Sequence, residues 1–291
     1  RIGDAALAAL LRAAELERVE IRLWLVLDRS EGYWPIETNV ATYDAAVTRL
    51  LAWLATDGLT ASTLVFDLEP ALGYSEELRG VFSTADLTAI TTLLRTHMDA
   101  TAFAAATSAL SATVLRVQAA GLRAECVTYP QVVDDGGDDD VDLEDALDIP
   151  VSGVPWDEVS FMVYQTGFSE AAPSGEWLGP SLVRSYAEDA RARFGDRTTI
   201  ALGLVGRAGI FPPTGAVYEL PEVLEADVAA ALAEGVTRIE VYSLDWMLLL
   251  GGPEAWLDAT ITTPARPAFF TSDVRLARSL AAALDTALNT P

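Results

Sequence analysis

The feature that most constrains the fold of this chain is a regular alternation of short apolar segments with helical segments. Six segments have the length of β-strands and are rich in β-branched, aromatic and other apolar residues. These predicted strands are 19–28, 64–69, 123–129, 158–164, 198–205 and 238–243. Alternating strands and helices imply parallel strands joined by right-handed crossovers. Because polar and aromatic residues gather where the strands end, we predict an α/β fold of the (β/α)8 TIM-barrel type, with its site at those ends.

The length of the chain, 291 residues, fits one barrel, so we predict a single domain over 1–291. The six predicted strands are two fewer than a full barrel has. An open doubly wound sheet is the alternative, but no Gly-rich phosphate loop follows a predicted strand. The predicted helices cover 4–17, 41–55, a long region at 84–119, 181–194, 222–234, 253–258 and 273–288.

An acidic segment, 134–148, interrupts the alternating pattern. Eight acids fall within the twelve residues 134–145. Because the ligand spacing of an EF-hand is absent, we predict a solvated loop here rather than a cation site.

Composition excludes several classes of function. The net charge is -24, with 43 acids and 19 basic residues that are all arginine, so nucleic acid would be repelled. A chain without lysine forms no Schiff base. With one histidine, His97, and one cysteine, Cys126, neither a multi-histidine metal site nor a disulfide framework is expected. We therefore predict no metal and no cofactor, and we place His97 on the surface of a helix.

No segment reaches the roughly 18 uninterrupted apolar residues of a membrane span. The first residues, Arg1 to Asp4, lead into a helical pattern and do not have the character of a signal peptide. We therefore expect no membrane-spanning segment.

Two carboxylates, Asp67 and Glu69, end the apolar run 62–70. Alternate residues of a strand share a face, so both side chains point the same way, roughly 6.6 Å apart along the backbone. Two acids that share a site tend to divide into one protonated and one ionised group. That is the electrostatic arrangement of a glycoside-cleaving site. The alternative is a strand end that meets solvent before Pro70.

Four strand ends, taken together, resemble glycoside hydrolase family 18, the family of chitinases and endo-β-N-acetylglucosaminidases. Its fourth strand carries Asp-x-x-Asp-x-Asp-x-Glu, and the register 62, 65, 67, 69 keeps Asp67 and Glu69 of that motif. Its sixth strand carries Met-x-Tyr-Asp, and this chain has Met162-Val-Tyr164-Gln165.

The later strand ends extend the resemblance. The pair Gly206-Arg207 is similar to the end of the seventh strand, and Tyr242-Ser-Leu-Asp245-Trp246 is similar to the end of the eighth. The likeness covers residues 19 to about 250 in the correct order. It would make 19–28 the third strand, and the first two barrel strands would then be missing from this chain.

The resemblance implies a retaining glycosidase assisted by the 2-acetamido group of its substrate, an exception to the two-carboxylate rule. Glu69 would be the general acid and then the base, Asp67 would orient the acetamido group, and Tyr164 would donate its hydroxyl to it. Candidate substrate-binding residues are Gln165, Tyr242, Trp246, Asp245, Arg207, Asp28, Tyr33 and Trp34, of which the aromatic ones could stack on sugar faces. Tyr242 and Trp246 could equally be ordinary barrel core. The expected partner is an oligosaccharide or polysaccharide, in an extracellular or cell-envelope location.

Two positions depart from the family motifs. Val65 replaces an acid that shares a proton with the middle aspartate, and Gln165 replaces an aspartate. The resemblance therefore implies either a substrate other than ordinary chitin or reduced turnover.

Three other functions remain open. A non-catalytic, lectin-like barrel would bind sugars without needing Glu69. A metal-dependent lyase or isomerase would use Asp28, Asp67 and Glu69 around a divalent cation, although such enzymes usually have a lysine or histidine base. An ordinary two-carboxylate glycosidase would pair Glu69 with Glu240 or Asp245.

Overall fold

The computed structural model of the chain describes residues 1–82, 86–136, 140–168, 178–206 and 217–289. These residues form two compact units. The first unit contains Arg1–Thr128 and Val141–Glu158, and the second contains Tyr129–Asp140 and Val159–Thr290. The prediction of a single domain stays a prediction.

Six strands occur in the described residues, as the sequence predicts, and their pairing is parallel within each unit. β1 (Arg22–Trp24), β2 (Thr63–Leu68) and β3 (Arg123–Thr128) pair in chain order in the first unit. β4 (Glu158–Met162), β5 (Thr198–Gly203) and β6 (Ile239–Tyr242) pair in chain order from Val159 onward in the second. Parallel neighbours that follow each other along the chain define the α/β class with crossover helices.

Helices connect these strands. The first unit has α1 (Ala5–Glu17), α2 (Val40–Asp57), α3 (Leu72–Phe82), α4 (Leu87–His97), α5 (Ala100–Ala119) and α6 (Asp142–Ala146). The second has α7 (Gln165–Phe168), α8 (Gly179–Phe194), α9 (Pro221–Ala233), α10 (Leu244–Leu249), α11 (Glu254–Ile261) and α12 (Ser272–Leu288). Short 3-10 helices cover Arg29–Glu31, Glu37–Asn39, Pro130–Gly136 and Gly195–Arg197.

The predicted long helical region at 84–119 is two helices, α4 and α5. The reason is local capping: the side chain of Asp99 accepts hydrogen bonds from the amides of Thr101 and Ala102, which starts a new helix. Asp86 caps α4 in the same way. Four helices, α3, α6, α7 and α10, were not predicted, because each is short or follows a strand end directly.

The strand β2 is buried along its whole length, and its two faces differ in character. Phe66, on the helix-facing side, packs against Tyr43 of α2 and against Trp156. Val65 and Asp67 lie on the opposite face, since alternate strand residues point to opposite sides. The apolar face thus fixes the register, and a slip of one residue would turn Asp67 into the helix layer.

The inner face of the first unit also holds two buried glutamates that share one partly exposed arginine. One guanidinium nitrogen of Arg22 lies 2.6 Å from Glu125 and 3.0 Å from Glu158, both of which are buried. Buried carboxylates are costly unless they are paired in this way. We assign these three side chains a structural role.

One helix among the described residues, α5, is long and apolar enough to cross a membrane by length and composition. It packs against α2 and β3, as the outer helix of a strand–helix repeat does. About a third of its most apolar window is buried inside the protein. We therefore treat α5 as a helix of the α/β layer.

Candidate functional site

The carboxyl end of β2 brings Asp67 and Glu69 together, as the two-residue spacing predicts. Their side chains share a hydrogen bond, and burial together with the neighbouring Glu69 carboxyl raises the pKa of Asp67 well above its ordinary value of 3.8. Asp67 is only 3% exposed, whereas Glu69 is half-buried. The pair therefore holds a proton at a pH where isolated carboxyls would have lost it, and Glu69 is the member that solvent can reach.

Two tryptophans influence the pKa of the Asp67 carboxyl. The indole groups of Trp24, in β1, and Trp34, in the loop that follows, both oppose the rise of its pKa. Trp34 Nε1 and Asp67 Oδ1 are nevertheless buried and make no hydrogen bond of standard geometry with the described residues. Each is therefore a polar atom whose hydrogen-bonding capacity is unmet, which is costly in an interior and typical of functional sites.

We expect Asp67→Asn to stabilise the fold at neutral and alkaline pH. Because the folded-state pKa of Asp67 lies above 3.8, wild-type stability is fullest below that value and falls as the pH rises toward the folded-state pKa. Asparagine has no proton to lose, so the variant should gain on the order of 1–3 kcal/mol over wild type at pH 8 and nothing at pH 3. Urea denaturation at both pH values measures the gain.

The exposed position Glu76 of α3 supplies the control for this experiment. Glu76→Gln also removes one negative charge, but from a solvated surface. A gain for Asp67→Asn that is the same at both pH values would contradict a raised pKa at Asp67.

The loop after β1 contains three predicted substrate-binding residues in different surroundings. Asp28 is exposed, and its carboxylate accepts hydrogen bonds from the amide and the hydroxyl of Ser30, which lowers its pKa. Tyr33 is half-buried and packs edge-on against Trp34 with ring centres 5.2 Å apart. Trp34 itself is 5% exposed, so it presents little open ring surface to a sugar. Its indole instead lowers the pKa of Asp67.

The second unit has its own aromatic surface at its strand ends. The rings of Tyr164 and Tyr242 are nearly parallel, with an interplanar angle of 20° and centres 6.1 Å apart. Both side chains are half-buried. Paired, partly open rings with polar hydroxyls suit the apolar faces and polar rims of sugars.

Two glycines allow this aromatic surface to form. A Cβ at Gly203 would come within 2.8 Å of the Tyr164 ring, and one at Gly206 would come within 2.6 Å of the Trp246 indole. Gly206 also has a φ of +60°, which favours glycine. Tyr164 and Trp246 therefore lie directly on glycine backbone, where any larger residue would displace them.

Gln165 lies in the interior rather than at an open surface. It is fully buried, donates to Asp227 at 3.0 Å and accepts from the amide of Gly179 at 3.1 Å. The Tyr218 hydroxyl also donates to Asp227. Burial raises the pKa of Asp227 to about 6. Gln165 is therefore held in a buried polar network, and its predicted contact with substrate stays a prediction.

Two of the remaining predicted residues of the second unit, Glu240 and Asp245, accept hydrogen bonds from serines. Glu240 is half-buried and accepts a hydrogen bond from Ser160 at 2.6 Å. Asp245 is exposed and accepts from the hydroxyl of Ser243. Arg207 lies outside the described residues.

The acidic segment is not the solvated loop that its composition predicts. In the second unit, Asp134 is paired with Arg278, and Asp135 is fully buried. In the first unit, Glu144 is fully buried and accepts hydrogen bonds from Val151 and Ser152. Asp134 is made tolerable in the interior by a cation far along the chain, and Glu144 by donors seven and eight residues later. Composition reveals neither kind of partner. Residues 137–139 of the segment lie outside the described residues.

Three carboxylates of the second unit could hold a metal ion by geometry. Oxygens of Asp135, Asp140 and Asp285 lie within 4.8 Å of one another, with the first and last of these residues buried. Clustered carboxylate oxygens are what a hard cation requires, but acidic clusters also occur without one. Nothing else in the described residues points to a metal at this cluster.

The placement of His97 also differs from the expected one. His97 closes α4 and is partly buried, since its ring stacks on that of Tyr74 with centres 3.5 Å apart. Its Nδ1 lies 3.0 Å from Asp148. Burial raises the pKa of Asp148 despite this histidine partner. The helical period shows which face of α4 holds His97 but not which loop covers that face.

Sequence reasoning missed Trp24 and Asp227 as neighbours of predicted site residues. Trp24 pairs with Val65, two residues before Asp67 on the same face, so its register would have revealed the contact. Asp227 lies on α9, 62 positions after Gln165. In the sequence, an aspartate beside the apolar run 228–233 of a predicted helix indicates that Asp227 could be buried with a polar partner.

Comparison with known proteins gives a fold but no family. No family model matches the sequence, and no curated protein matches it. A solved fungal β-1,4-galactanase is similar in structure, with a TM-score of 0.50 and 11% identity over 94% of this chain and 81% of the galactanase chain. An L-ribulose 3-epimerase structure is also similar, at a TM-score of 0.43 and 14% identity over 98% of this chain and 82% of its own.

The galactanase likeness and the parallel, sequentially ordered strands define the class of protein. The fold is α/β, of the (β/α)8 TIM-barrel type, with six strands among the described residues. An identity this low shows the fold alone. The specific likeness to glycoside hydrolase family 18 therefore stays a prediction.

Proposed function

We propose that the protein is a glycoside hydrolase acting on an oligosaccharide or polysaccharide, with Glu69 as its general acid and base. The observation that carries this proposal is the hydrogen-bonded pair of a buried Asp67 and a half-buried Glu69 at the end of β2. Carboxyl ends of strands are where (β/α) barrels place their chemistry. The shared fold with a β-1,4-galactanase supports the same class of reaction.

The closeness of the two carboxyls favours one kind of mechanism. In a retaining two-carboxylate glycosidase the acid and the nucleophile stand about 5–5.5 Å apart, and in an inverting enzyme about 6.5–9.5 Å apart. A hydrogen bond between Asp67 and Glu69 holds their carboxyls closer than either distance. Asp67 is therefore better suited to control the protonation of Glu69 than to attack the sugar. The nucleophile must then come from another group.

A 2-acetamido group of the substrate supplies that nucleophile in our proposal. Its carbonyl oxygen attacks the anomeric carbon while the glycosidic oxygen leaves with the proton of Glu69. The resulting cyclic cation is stabilised by the negative charge that the pair then carries. Water, deprotonated by Glu69, opens the cycle and restores the proton. This sequence needs no cofactor, and every proton moves through Glu69.

Product release from a panel of glycans with and without N-acetyl groups tests the proposal. We expect cleavage only where a 2-acetamido sugar precedes the scissile bond, because the nucleophile is part of the substrate. Retention of configuration in the first product, read by NMR, is expected as well. Cleavage of sugars that lack the acetamido group would overturn substrate assistance and point to a second carboxylate. Binding without cleavage across the panel would place the protein with lectin-like barrels.

A further inference from the structure

The nearly parallel rings of Tyr164 and Tyr242 belong to strands that are not neighbours in the sheet. Tyr164 follows β4, Tyr242 ends β6, and β5 pairs with both of these strands. Strands two positions apart in a sheet are separated by roughly 9.5 Å, but the two ring centres are 6.1 Å apart. The two side chains therefore lean toward each other across the end of β5.

Gly203, the last residue of β5, is close to both tyrosines. It is in register with Tyr242 in the β5–β6 ladder. A Cβ at Gly203 would come within 2.8 Å of the Tyr164 ring, so this ring lies directly on the glycine backbone. Two residues later, the amide of Val205 donates to the backbone oxygen of Tyr242 at 2.7 Å. The segment 203–205 thus contacts both tyrosines, and a shift of its backbone would displace both rings.

One side chain, Thr166, binds a peptide group of this segment. Its hydroxyl donates to the backbone oxygen of Gly203 and accepts from the amide of Leu204, both at 2.9 Å. Thr166 is fully buried and lies in α7, two residues after Tyr164. Polar backbone groups in an interior need such partners, because water does not reach them there. The hydroxyl therefore joins the chain next to the Tyr164 ring to the backbone on which that ring lies.

We propose that Thr166 is a positioning residue, which sets the spacing of the Tyr164 and Tyr242 rings by holding the Gly203–Leu204 peptide. The inference rests on the proposed function for its catalytic meaning, because a glycan substrate would stack on these rings, but its first test needs no glycan. Thr166 is buried, so its effect on a substrate would pass through the rings. Valine at position 166 keeps the shape of threonine without the hydroxyl, so both hydrogen bonds to the peptide would be lost.

Fluorine NMR of protein labelled with 3-fluorotyrosine tests the inference. The resonances of the two rings are identified as those that Tyr164→Phe and Tyr242→Phe remove. In Thr166→Val both resonances should shift, whereas Thr166→Ser, which keeps the hydroxyl, should leave them in place. A folded Thr166→Val protein with unshifted resonances would overturn the inference, and so would shifts of equal size in Thr166→Ser.

Thr198→Val is the matched control for this experiment. Thr198 is also buried, and its hydroxyl donates to the backbone oxygen of Ala190 at 3.0 Å. It begins β5, at the opposite end of the strand from Gly203, so the substitution should shift neither resonance. Shifts as large as those of Thr166→Val would show that the resonances report any loss of buried hydrogen bonding, and they would overturn the inference.

Hydrogen exchange in wild type covers the case in which Thr166→Val does not fold. The Leu204 amide donates to the Thr166 hydroxyl, so it should exchange far more slowly than an unstructured amide. An exchange rate typical of an unstructured amide would show that Thr166 does not hold this peptide and would overturn the inference.

Turnover separates this inference from the proposed function. If the glycan panel yields cleavage, kcat/KM in Thr166→Val should drop about 10- to 100-fold, because the rings would no longer be placed for the substrate. Thr166→Ser and Thr198→Val should stay near wild type, and an undiminished kcat/KM in Thr166→Val would overturn the inference. Shifted resonances without cleavage of any glycan would support the role of Thr166 and contradict the proposed function alone.

Discussion

Replacing Glu69 by glutamine is expected to slow glycan cleavage by about 10²- to 10⁴-fold while leaving the fold and glycan binding intact. Glutamine keeps the length of the side chain and its capacity to hydrogen-bond with Asp67, but it has no proton to deliver to the glycosidic oxygen. Loss of a general acid lowers kcat by about 10²- to 10⁴-fold. Turnover of an N-acetylated glycan measures the loss, and calorimetric titration with the same glycan measures binding.

The chemistry of the leaving group sharpens this experiment. A nitrophenyl glycoside leaves without much protonation, so Glu69→Gln should lose far less in the step that releases nitrophenol than with a natural sugar leaving group. Glu76→Gln, on the exposed face of α3, should behave as wild type on both substrates. Equal losses on both substrates would contradict an acid role for Glu69, and undiminished cleavage would exclude it from the reaction.

The parts of the site that follow from local geometry could be predicted from the sequence. The side-by-side placement of Asp67 and Glu69 follows from the period of two in a strand, and Pro70 marks where that strand must stop. The fold class follows from the alternation of strands and helices in the same way. These inferences need only neighbours along the chain.

The parts that depend on contacts between distant segments could not be predicted. The contact of Trp24 with Asp67 depends on strand register, which comes from how apolar faces pack. The burial of Gln165 depends on Asp227, 62 positions later, and the burial of Asp134 depends on Arg278 of the last helix. In each case a polar residue looks exposed in the sequence until its partner is known.

The largest effect on stability is expected at Arg278, which joins α12 to the rest of the second unit. Its guanidinium lies 2.7 Å from Asp134 and 2.5 Å from Asp189, and 4.2 Å from the centre of the Tyr186 ring. Asp134 is buried, with a side chain only 3% exposed. Arg278→Met keeps the apolar stem but leaves the Asp134 charge without its cation, which should cost about 3–5 kcal/mol at pH 8.

The pH dependence of this loss of stability distinguishes the charge of Arg278 from its packing as the cause. Burial raises the pKa of Asp134 to about 6 even with Arg278 present, so at pH 5 the acid is mostly neutral in wild type and needs its cation less. Guanidinium denaturation followed by circular dichroism should therefore give a smaller loss for Arg278→Met at pH 5 than at pH 8. Arg275→Met, exposed on the same helix, should stay within about 0.5 kcal/mol of wild type at both. A loss that is the same at both pH values would mean that Arg278 anchors α12 by packing on Tyr186 rather than by neutralising Asp134.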